Sequence, residues 1–365
     1  MLKRTPFYQA HKEASAKLID FGGFEMPVNY EGIKAEHLCV REAVGVFDVS
    51  HMGEVFISGS DSLAFIQKIT INDASKLVPG KAQYSAMCYE NAGIVDDLLV
   101  YMLAENEYLL VINASNIEKD VEWMSKYVFG DVVLDNRSEK MCLLAVQGPK
   151  APELIQRLTD LDISSISYYS FKVGTFCGMP NVIVSATGYT GEKGFELYFN
   201  ESDGNPLEVW NKLMESGADL GIKPAGLGSR DTLRLEMGFA LYGNDISSET
   251  NPYEAGLGWI TKLDKGEFNG KQALVDIKAS GISRKLTGFI VQSEKQVPRA
   301  HYEICNSNGE KIGEVSSGGL SISLGTGIGL GYVDSDYLKL NTELFISIRG
   351  KLIAANITKP PFIRK

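Results

Sequence analysis

The segment AQYSAMCYENAGIVDDLLVY, residues 82–101, predicts a strand, a turn and a second strand. Residues 83–88 alternate between two sets of side chains, as a half-buried strand does. The turn Glu90-Asn91-Ala92-Gly93 contains Asn and Gly, which tolerate the left-handed backbone that a tight reversal needs. An apolar run with two adjacent carboxylates follows over residues 94–101. We therefore expect an antiparallel hairpin, with the neighbouring elements arranged around it.

The two adjacent carboxylates are Asp96 and Asp97, in the middle of the second strand. Successive side chains of a strand point to opposite faces, so one carboxylate can reach solvent while the other faces inward. An unpaired buried charge is costly, so the inward carboxylate needs a partner or a ligand. The pattern alone leaves two readings open: a structural salt bridge beside a solvated acid, or a functional acid.

Composition indicates a soluble globular protein with two or three domains, since 365 residues are available at roughly 100–200 per domain. The hydrophobic fraction of 44% and the charged fraction of 22% are ordinary for this class. A net charge of −10 argues against nucleic-acid binding. An anionic ligand would therefore need a local cluster of Lys or Arg side chains.

The five cysteines are widely spaced, odd in number and without a CxxC pair. This spacing argues against a zinc site and a disulfide framework, and favours a reducing compartment. The N-terminal residues lack the apolar core of a signal peptide. No apolar run approaches the about 20 residues of a membrane span. We expect a cytoplasmic protein with no membrane association.

Element patterns predict an α+β fold followed by a β domain. Residues 50–147 read as β-α-β-β-β-α-β-β, which is built on antiparallel hairpins. Residues 262–285 read as a charged connector. From Leu286 onward, short strands recur about every 8–12 residues between turn residues, as in a small β-sandwich or barrel-like domain.

Four helices carry predictions about their ends or faces. Thr5 is expected to cap a short helix that runs to His11. The helix over residues 32–44 is expected to bury Ile33, Leu38 and Ala43. Asn113-Ala114-Ser115 is expected to cap the helix that contains Ile117, and Ser229 is expected to cap a helix that ends at Met237.

Cofactor and metal motifs are weak. The run Gly325 to Gly331 has neither the Lys-Ser/Thr of a P-loop nor a βαβ context, so it predicts a loop running into an edge strand. No NAD or FAD is expected. The four histidines show no ligand spacing, so no metal is expected. Only His51, in a loop before a strand, is singled out for attention.

Three polar features have both a structural and a functional reading. The loop TGYTGEKGFEL, residues 187–197, has glycines that would let the backbone approach a ligand, or it is a simple hairpin loop. Arg230 lies in the first turn of a helix, where a cation is disfavoured, so it either pairs with an acid or binds an anion. Asn113 suits the edge of a heterocycle as well as a helix cap.

Together, eight segments resemble the aminomethyltransferase family, the T-proteins of the glycine cleavage system. They are FDVSHMGE (47–54), YSAMCYENAGIVDDLLVY (84–101), INASNIEKD (112–120), QGPKA (147–151), YYSF (168–171), TGYTGEKGFEL (187–197), PAGLGSRDTLRLE (224–236) and NPYEAGLGW (251–259). The chain departs from the usual family pattern at Ala92-Gly93, where Gly-Gly is usual, and at Ser321-Ile322, where Ser-Pro is usual. Both changes lie outside the polar positions.

The resemblance implies a three-domain folate-binding aminomethyltransferase fold. Two domains are expected to be α+β with antiparallel sheets, and the third is a C-terminal all-β domain of jelly-roll or barrel-like form. The implied division is residues 1–49 plus 138–260 for a discontinuous α+β domain and residues 50–137 for an inserted one. Residues 261–285 form the connector and residues 286–365 the β domain.

The reaction that the resemblance implies is a one-carbon transfer. The methylene group of the aminomethyl-lipoyl arm of the H-protein passes to tetrahydrofolate, giving 5,10-methylenetetrahydrofolate, ammonia and the dihydrolipoyl H-protein. By position, the catalytic acid is Asp97. Such a carboxylate can hydrogen-bond the N–H of the nucleophile and stabilise the positive charge that develops as ammonia leaves.

The remaining implied site residues bind the substrates. Glu196 matches the residue that accepts hydrogen bonds from the pterin, and Arg230 matches an Arg that pairs with a ligand anion or orients Glu196. The other matching positions are Tyr84, Asn113, Met52, Tyr169, Tyr189, Tyr242 and Arg364. Two alternatives share the fold: a folate-dependent demethylase module and a non-enzymatic folate-binding protein.

Overall fold

The computed structural model describes residues 2–293 and 295–363. The α-helices are α1 (Tyr8–Glu13), α2 (Ile33–Glu42), α3 (Ser62–Ile69), α4 (Ile117–Ser125), α5 (Ala151–Gln156), α6 (Pro206–Ser216), α7 (Leu227–Met237) and α8 (Lys271–Ser280). The strands are β1 (Lys17–Phe21), β2 (Phe24–Asn29), β3 (Val44–Asp48), β4 (Gly53–Ser58), β5 (Lys81–Cys88), β6 (Ile94–Ala104), β7 (Glu107–Ile112), β8 (Val133–Asn136), β9 (Met141–Gln147), β10 (Phe171–Phe176), β11 (Met179–Ser185), β12 (Gly194–Asn200), β13 (Ile222–Pro224), β14 (Arg284–Val291), β15 (Glu303–Cys305), β16 (Lys311–Leu320), β17 (Gly327–Asp334), β18 (Glu343–Ile348) and β19 (Lys351–Thr358).

The chain forms two compact units, each built from separate segments. The first unit comprises Met1–Ile66, Ala74–Tyr84 and Leu98–Asp231. The second comprises Gln67–Asp73, Ser85–Asp97 and Thr232–Lys365. The polypeptide therefore passes from one unit to the other within β5 and again within β6. The division into three domains remains a prediction.

A six-stranded sheet lies at the centre of the first unit, in the order β10-β11-β12-β9-β3-β13. Its strand pairs are antiparallel except for β13 with β3, which run parallel. Apolar side chains of this sheet and of helices α5 and α6 form one buried core, which includes Val146, Leu154, Leu197 and Trp210. Burial of this apolar surface holds the helices against the sheet.

A five-stranded sheet in the order β5-β6-β7-β4-β8 contains the predicted hairpin. The reversal at its turn uses Ala92, whose φ is +69°, and Tyr89 N donates to Gly93 O at 2.8 Å. Alternation along β6 buries Asp96 completely and leaves Asp97 half-buried. The prediction that the two carboxylates point to opposite faces is therefore confirmed.

The C-terminal part of the second unit is a closed barrel in the strand order β14-β17-β16-β15-β18-β19. Its interior is filled by apolar side chains that include Phe289, Ile304, Val333 and Ile346. The α+β class and the C-terminal barrel are thus confirmed. The expected edge strand after Gly325 is wrong, because β17 pairs with β14 on one side and β16 on the other.

Two predicted helix features differ from the structure. Helix α1 begins at Tyr8 rather than after Thr5, because Thr5 Oγ1 donates to the buried Asp48 Oδ2 at 2.5 Å. Helix α2 buries Glu36, His37 and Val40 instead of the predicted apolar stripe. A carboxylate can be buried there because Glu36 accepts hydrogen bonds from backbone amides.

The charged connector contains an unpredicted helix, α8, from Lys271 to Ser280. Leu274 is its one buried residue, so the helical period of apolar side chains is too weak to be seen in the sequence. In the described parts of the chain, no helix combines the length and the apolar character needed to cross a membrane.

Candidate functional site

The predicted site residues share one property: the nine that the structure describes are all half-buried. They are Met52, Tyr84, Asp97, Asn113, Tyr169, Tyr189, Glu196, Arg230 and Tyr242. Arg364 lies outside the described residues. Asp97 and Tyr242 belong to the second unit and the other seven belong to the first. Side chains of this exposure can reach a ligand while their neighbours fix their orientation.

Glu196 lies on β12, which pairs with β11 and β9 inside the six-stranded sheet. Its Oε2 accepts hydrogen bonds from Thr187 Oγ1 and from Tyr198 OH, the latter at 3.1 Å. Burial raises the pKa of Glu196, and the two hydroxyls and the charge of Arg230 partly offset that effect. The carboxyl group is therefore held in one orientation by Tyr198 of its own strand and by Thr187 of the loop that precedes the strand.

The glycine-rich loop before Glu196 is anchored by Gln147, which is 1% exposed. Gln147 Nε2 donates to Thr187 O at 3.1 Å, and its Oε1 accepts from Thr190 Oγ1 at 2.8 Å. A Cβ atom added at Gly188 or Gly194 would lie 2.1 or 2.5 Å from the Gln147 side chain. These two glycines are therefore required for the close approach to Gln147.

Arg41 anchors the same loop from helix α2. Its Nη1 donates to Thr190 O at 2.7 Å and pairs with Glu192 Oε1 at 2.9 Å. Both side chains of this ion pair are 9% exposed. Residues 187–194 therefore form the hairpin loop between the antiparallel strands β11 and β12, and this loop is fixed at two points by Gln147 and Arg41.

Arg230 is placed by the start of helix α7. Glu36, which is 1% exposed, accepts hydrogen bonds from Gly226 N at 2.9 Å and Tyr30 N at 2.6 Å. Ser229 is not the predicted cap, because the helix begins at Leu227 and Ser229 Oγ donates to Gly226 O. The guanidinium of Arg230 lies 4.5 Å from the centre of the Tyr189 ring, in a cation–π contact.

His51 is buried beside this cation. The ring is 1% exposed and packs edge-on against Phe21, with ring centres 5.4 Å apart. Its Nδ1 has no hydrogen-bond partner in the described parts of the chain. Burial and the positive charge of Arg230 lower the pKa of His51 to about 4, against a smaller opposing effect of Asp48. The imidazole is therefore neutral at physiological pH.

A buried polar cluster that the sequence did not reveal fixes the backbone just before Met52. Asp48 Oδ2 lies 2.9 Å from His11 Nε2, and His11 Nδ1 lies 2.9 Å from Tyr30 OH. The other oxygen of Asp48 accepts from Ser50 N at 2.9 Å. Burial raises the pKa of Asp48, but the hydrogen bonds from its neighbours outweigh it and lower the pKa overall.

Tyr169 and Asn113 are two further predicted site residues of the first unit. Tyr169 has a left-handed φ of +59°, and its carbonyl accepts from Ala82 N at 2.9 Å. Burial, followed by the charges of Tyr168, Tyr101 and Glu196, raises its pKa. The predicted cap at Asn113 is wrong, because its side chain makes no capping hydrogen bond to the 3₁₀ turn Ala114–Asn116 that follows.

In the second unit, Tyr242 is joined to the strand that carries Asp97. Tyr242 OH donates to Ile94 O, three residues before Asp97 on β6, at 3.2 Å. Tyr242 also bridges to Ile246 through the backbone. Among residues 2–293 and 295–363, no cluster of His, Cys, Asp and Glu side chains suited to a metal occurs.

Comparison with known proteins gives matches along the whole chain. A family model described as the GCVT N-terminal domain matches residues 7–265, and one described as the glycine cleavage T-protein C-terminal barrel domain matches residues 284–363. An aminomethyltransferase of Flavobacterium psychrophilum is 52% identical over 364 residues, which is 100% of each chain. One of Chloroherpeton thalassium is 51% identical, over 100% of this chain and 99% of its own.

A solved structure shows the same fold. The crystal structure of the glycine cleavage system aminomethyltransferase T from Bartonella henselae superposes with a TM-score of 0.92 at 33% sequence identity. The match covers 100% of this chain and 98% of that one. With both family models matching and identities above 50% over the full length, the chain belongs to the aminomethyltransferase family, the T-proteins of the glycine cleavage system.

Proposed function

We propose that this aminomethyltransferase transfers the methylene group of the aminomethyl-lipoyl arm of an H-protein to tetrahydrofolate. The products are 5,10-methylenetetrahydrofolate, ammonia and the dihydrolipoyl H-protein. The observation that carries this proposal is the match of 51–52% identity with aminomethyltransferases over the full length of both chains. A rival that had lost or exchanged its site would not be expected to keep this similarity throughout.

Glu196 and Arg230 are the residues of the first unit that we assign to tetrahydrofolate binding. When bound, tetrahydrofolate supplies the two nitrogens that accept the methylene group, N5 in the pterin ring and N10 outside it. The pterin edge presents N–H donors, which a carboxylate with one oxygen already satisfied can accept. Arg230, stacked on Tyr189, provides a cation in a protein whose net charge is −10. Such a local cation can overcome the repulsion between an acidic protein and an anionic ligand.

The flanks of the ligand are assigned to four half-buried side chains of the same unit, Met52, Tyr84, Asn113 and Tyr169. Apolar and aromatic side chains suit the faces of a flat heterocycle, and the Asn amide suits its polar edge. We also assign Tyr242 of the second unit and Arg364, which lies outside the described residues, to substrate binding.

Asp97 is assigned to the chemistry. Its neighbour Asp96 is fully buried, whereas Asp97 is half-buried and lies on the opposite face of β6. A carboxylate in this position can hold the N–H of the acceptor in line for attack. It can also stabilise positive charge on the donor carbon as the amine departs, without a change of its own protonation. Binding both substrates in one complex removes the entropic cost of their encounter from the chemical step.

The proposed compartment is the cytoplasm. All five cysteines are free thiols in the structure, which is typical of proteins that work under reducing conditions. Separation of soluble, membrane and exported fractions, followed by immunodetection, tests this assignment.

The experiment that tests the function is turnover of tetrahydrofolate with an aminomethylated lipoyl H-protein, followed by formation of 5,10-methylenetetrahydrofolate. Product should depend on both substrates. Asp97→Asn should retain tetrahydrofolate affinity and lose most of the transfer rate. Asp203→Asn, at an exposed acid of the same type, is the matched control. Tight tetrahydrofolate binding without transfer from the lipoyl arm would refute the proposed donor and favour another methylene source or a binding role.

A further inference from the structure

Four buried hydroxyl groups form a connected network behind Glu196. They belong to Tyr101, Ser185, Thr187 and Tyr198, whose side chains are at most 3% exposed. Tyr101 OH lies 3.0 Å from Tyr198 OH, 3.1 Å from Thr187 Oγ1 and 3.2 Å from Ser185 Oγ. Ser185 Oγ lies 3.0 Å from Thr187 Oγ1. The network reaches Glu196 only at Oε2, through Thr187 and Tyr198.

An ionised Glu196 fixes the direction of the two hydrogen bonds to its Oε2. Each hydroxyl has one proton to donate, and an ionised carboxylate only accepts. Thr187 and Tyr198 must therefore donate their protons to Glu196 Oε2. Tyr198 and Thr187 can then only accept from the other two hydroxyls, so Tyr101 donates to one of them and Ser185 donates to Tyr101 or to Thr187. In every case the donors point towards the carboxylate. A protonated Oε2 would have to donate, and at least one of these contacts would be broken.

The second oxygen of Glu196 is left for another partner. Among the residues that the structure describes, Oε1 makes no hydrogen bond, and it is not one of the sealed polar atoms without a partner. A carboxylate bound through one oxygen cannot exchange its two oxygens by rotation without breaking both contacts to Oε2. The network therefore determines which oxygen a ligand meets.

We propose that Thr187 and Tyr198, aligned by Ser185 and Tyr101, are positioning residues that hold Glu196 ionised and turn its Oε1 towards the N–H donors of a ligand. This inference rests on the proposed function for the identity of the ligand as tetrahydrofolate. The orientation of the Glu196 carboxylate does not depend on that assignment, because it follows from contacts within the first unit. None of the four hydroxyls touches the ligand in this scheme; they act through Glu196.

The charged and titratable groups around Glu196 explain why its carboxylate needs hydrogen bonds to stay ionised. Burial favours the neutral carboxyl, and Arg230 of helix α7 is the cation that opposes this. Tyr168 and Tyr169 lie near enough for the charge of Glu196 to raise their pKa values. Glu54 of β4, itself fully buried, acts in the same way on Tyr198. Arg230 alone opposes the effect of burial by its charge, and the hydrogen bonds from Thr187 and Tyr198 add to the stabilisation of the Glu196 anion.

The first test is a direct titration of the Glu196 carboxyl in the full chain without ligand, by ¹³C NMR of labelled glutamate. Glu196→Gln identifies the resonance. Tyr198→Phe and Thr187→Val each remove one donor and should raise the pKa of Glu196 by about 1, a tenfold change in its ionisation constant. Thr187→Ser keeps the hydroxyl and should restore the wild-type pKa. An unchanged pKa in both Tyr198→Phe and Thr187→Val would overturn the positioning role.

Tyr108→Phe is the matched control for loss of a tyrosine hydroxyl. Tyr108 is 2% exposed, lies on β7 of the first unit and has no part in the network. Its replacement should leave the titration of Glu196 at the wild-type position. A shift as large as that of Tyr198→Phe would mean that general loosening of the unit, and not the hydroxyl network, controls the carboxyl group.

The second test is equilibrium binding of tetrahydrofolate as a function of pH. Tyr198→Phe and Thr187→Val should bind about tenfold more weakly at pH 7, as expected for loss of a charge-assisted hydrogen bond. Their acid limit of binding should move to higher pH, while Tyr108→Phe should follow the wild type. Failure of the wild type to bind tetrahydrofolate overturns the proposed function and the ligand assignment. Wild-type binding with unchanged affinity and pH profile in both variants overturns the positioning role alone.

Discussion

Replacement of Asp245 by alanine should destabilise the second unit more than any surface substitution. Asp245 is fully buried and accepts four hydrogen bonds from three separate segments. The donors are Arg234 Nη1 at 2.7 Å, Leu241 N at 2.9 Å, Ser316 Oγ at 2.5 Å and Ser317 Oγ at 2.9 Å. Ser316 and Ser317 lie on barrel strand β16 and Arg234 lies on helix α7, so the carboxylate joins the barrel to α7.

The magnitude follows from what the substitution leaves behind. Arg234 is 2% exposed, so its charge cannot be transferred to water. Its remaining acceptors include Phe239 O at 3.1 Å and Ser317 Oγ at 2.8 Å, which are both neutral. Removal of one partner of a buried ion pair typically costs about 3–5 kcal/mol. For a unit of this size, about 4 kcal/mol corresponds to a fall in Tm of about 8–16 °C.

Calorimetry and urea unfolding of the full chain measure this loss. Asp336→Ala, at an exposed acid of the same unit, should stay within about 0.5 kcal/mol of the wild type. The double variant Arg234→Met with Asp245→Ala removes both charges and should recover part of the loss. A cost below about 1 kcal/mol for Asp245→Ala, or a double variant no more stable than the single one, would refute this role of the buried ion pair.

Three further outcomes are expected. Asp97→Asn should reduce transfer more than a hundredfold, the usual size of one charge-stabilising contact, while tetrahydrofolate affinity stays near that of the wild type in equilibrium binding. His51 is neutral in the folded protein, because its pKa is about 4 against a usual 6.5. Its buried imidazole opposes protonation, so the free energy of unfolding should fall by about 3 kcal/mol as pH falls from 6.5 to 4. His51→Gln should remove that part of the pH dependence in urea titrations at several pH values. Gly194→Ala places a Cβ atom 2.5 Å from Gln147 Nε2 and 2.6 Å from Val146 O, so it should release the glycine-rich loop, which weaker tetrahydrofolate binding and faster hydrogen exchange over residues 187–194 would reveal.

Local patterns predicted the elements whose causes are local. The hairpin of β5 and β6 follows from alternation and from turn residues that lie within about twenty positions of one another. The same alternation is enough to place Asp96 and Asp97 on opposite faces of β6. The short strands of the C-terminal region likewise follow from regular turn signals. Their closure into a barrel, with β17 between β14 and β16, depends on pairings that no single strand encodes.

Contacts between distant parts of the chain could not be predicted in this way. Glu36 is a buried acid on helix α2 because it accepts from Gly226 N, 190 positions away. Tyr101 and Tyr198 are 97 positions apart, yet their hydroxyls lie 3.0 Å apart. A clue to Tyr198 is present, since it follows Glu196 by two positions on one strand and therefore shares its face. Gln147 carries no such clue, because its partners lie in a loop 40 positions later.

The interleaving of the two units constrains how the protein is made. Residues 67–73 and 85–97 leave the ribosome well before Thr232–Lys365, the segment that completes their unit. At synthesis rates of about 5–20 residues per second, this interval is on the order of ten seconds or more. During it, the apolar ends of β5 and β6 that belong to the second unit have no native partners from the C-terminal segment, which favours transient capture by chaperones. Asp97 is thus synthesised well before Thr232–Lys365, so the chemistry proposed for its carboxylate has to wait until that segment has been made and has folded around it.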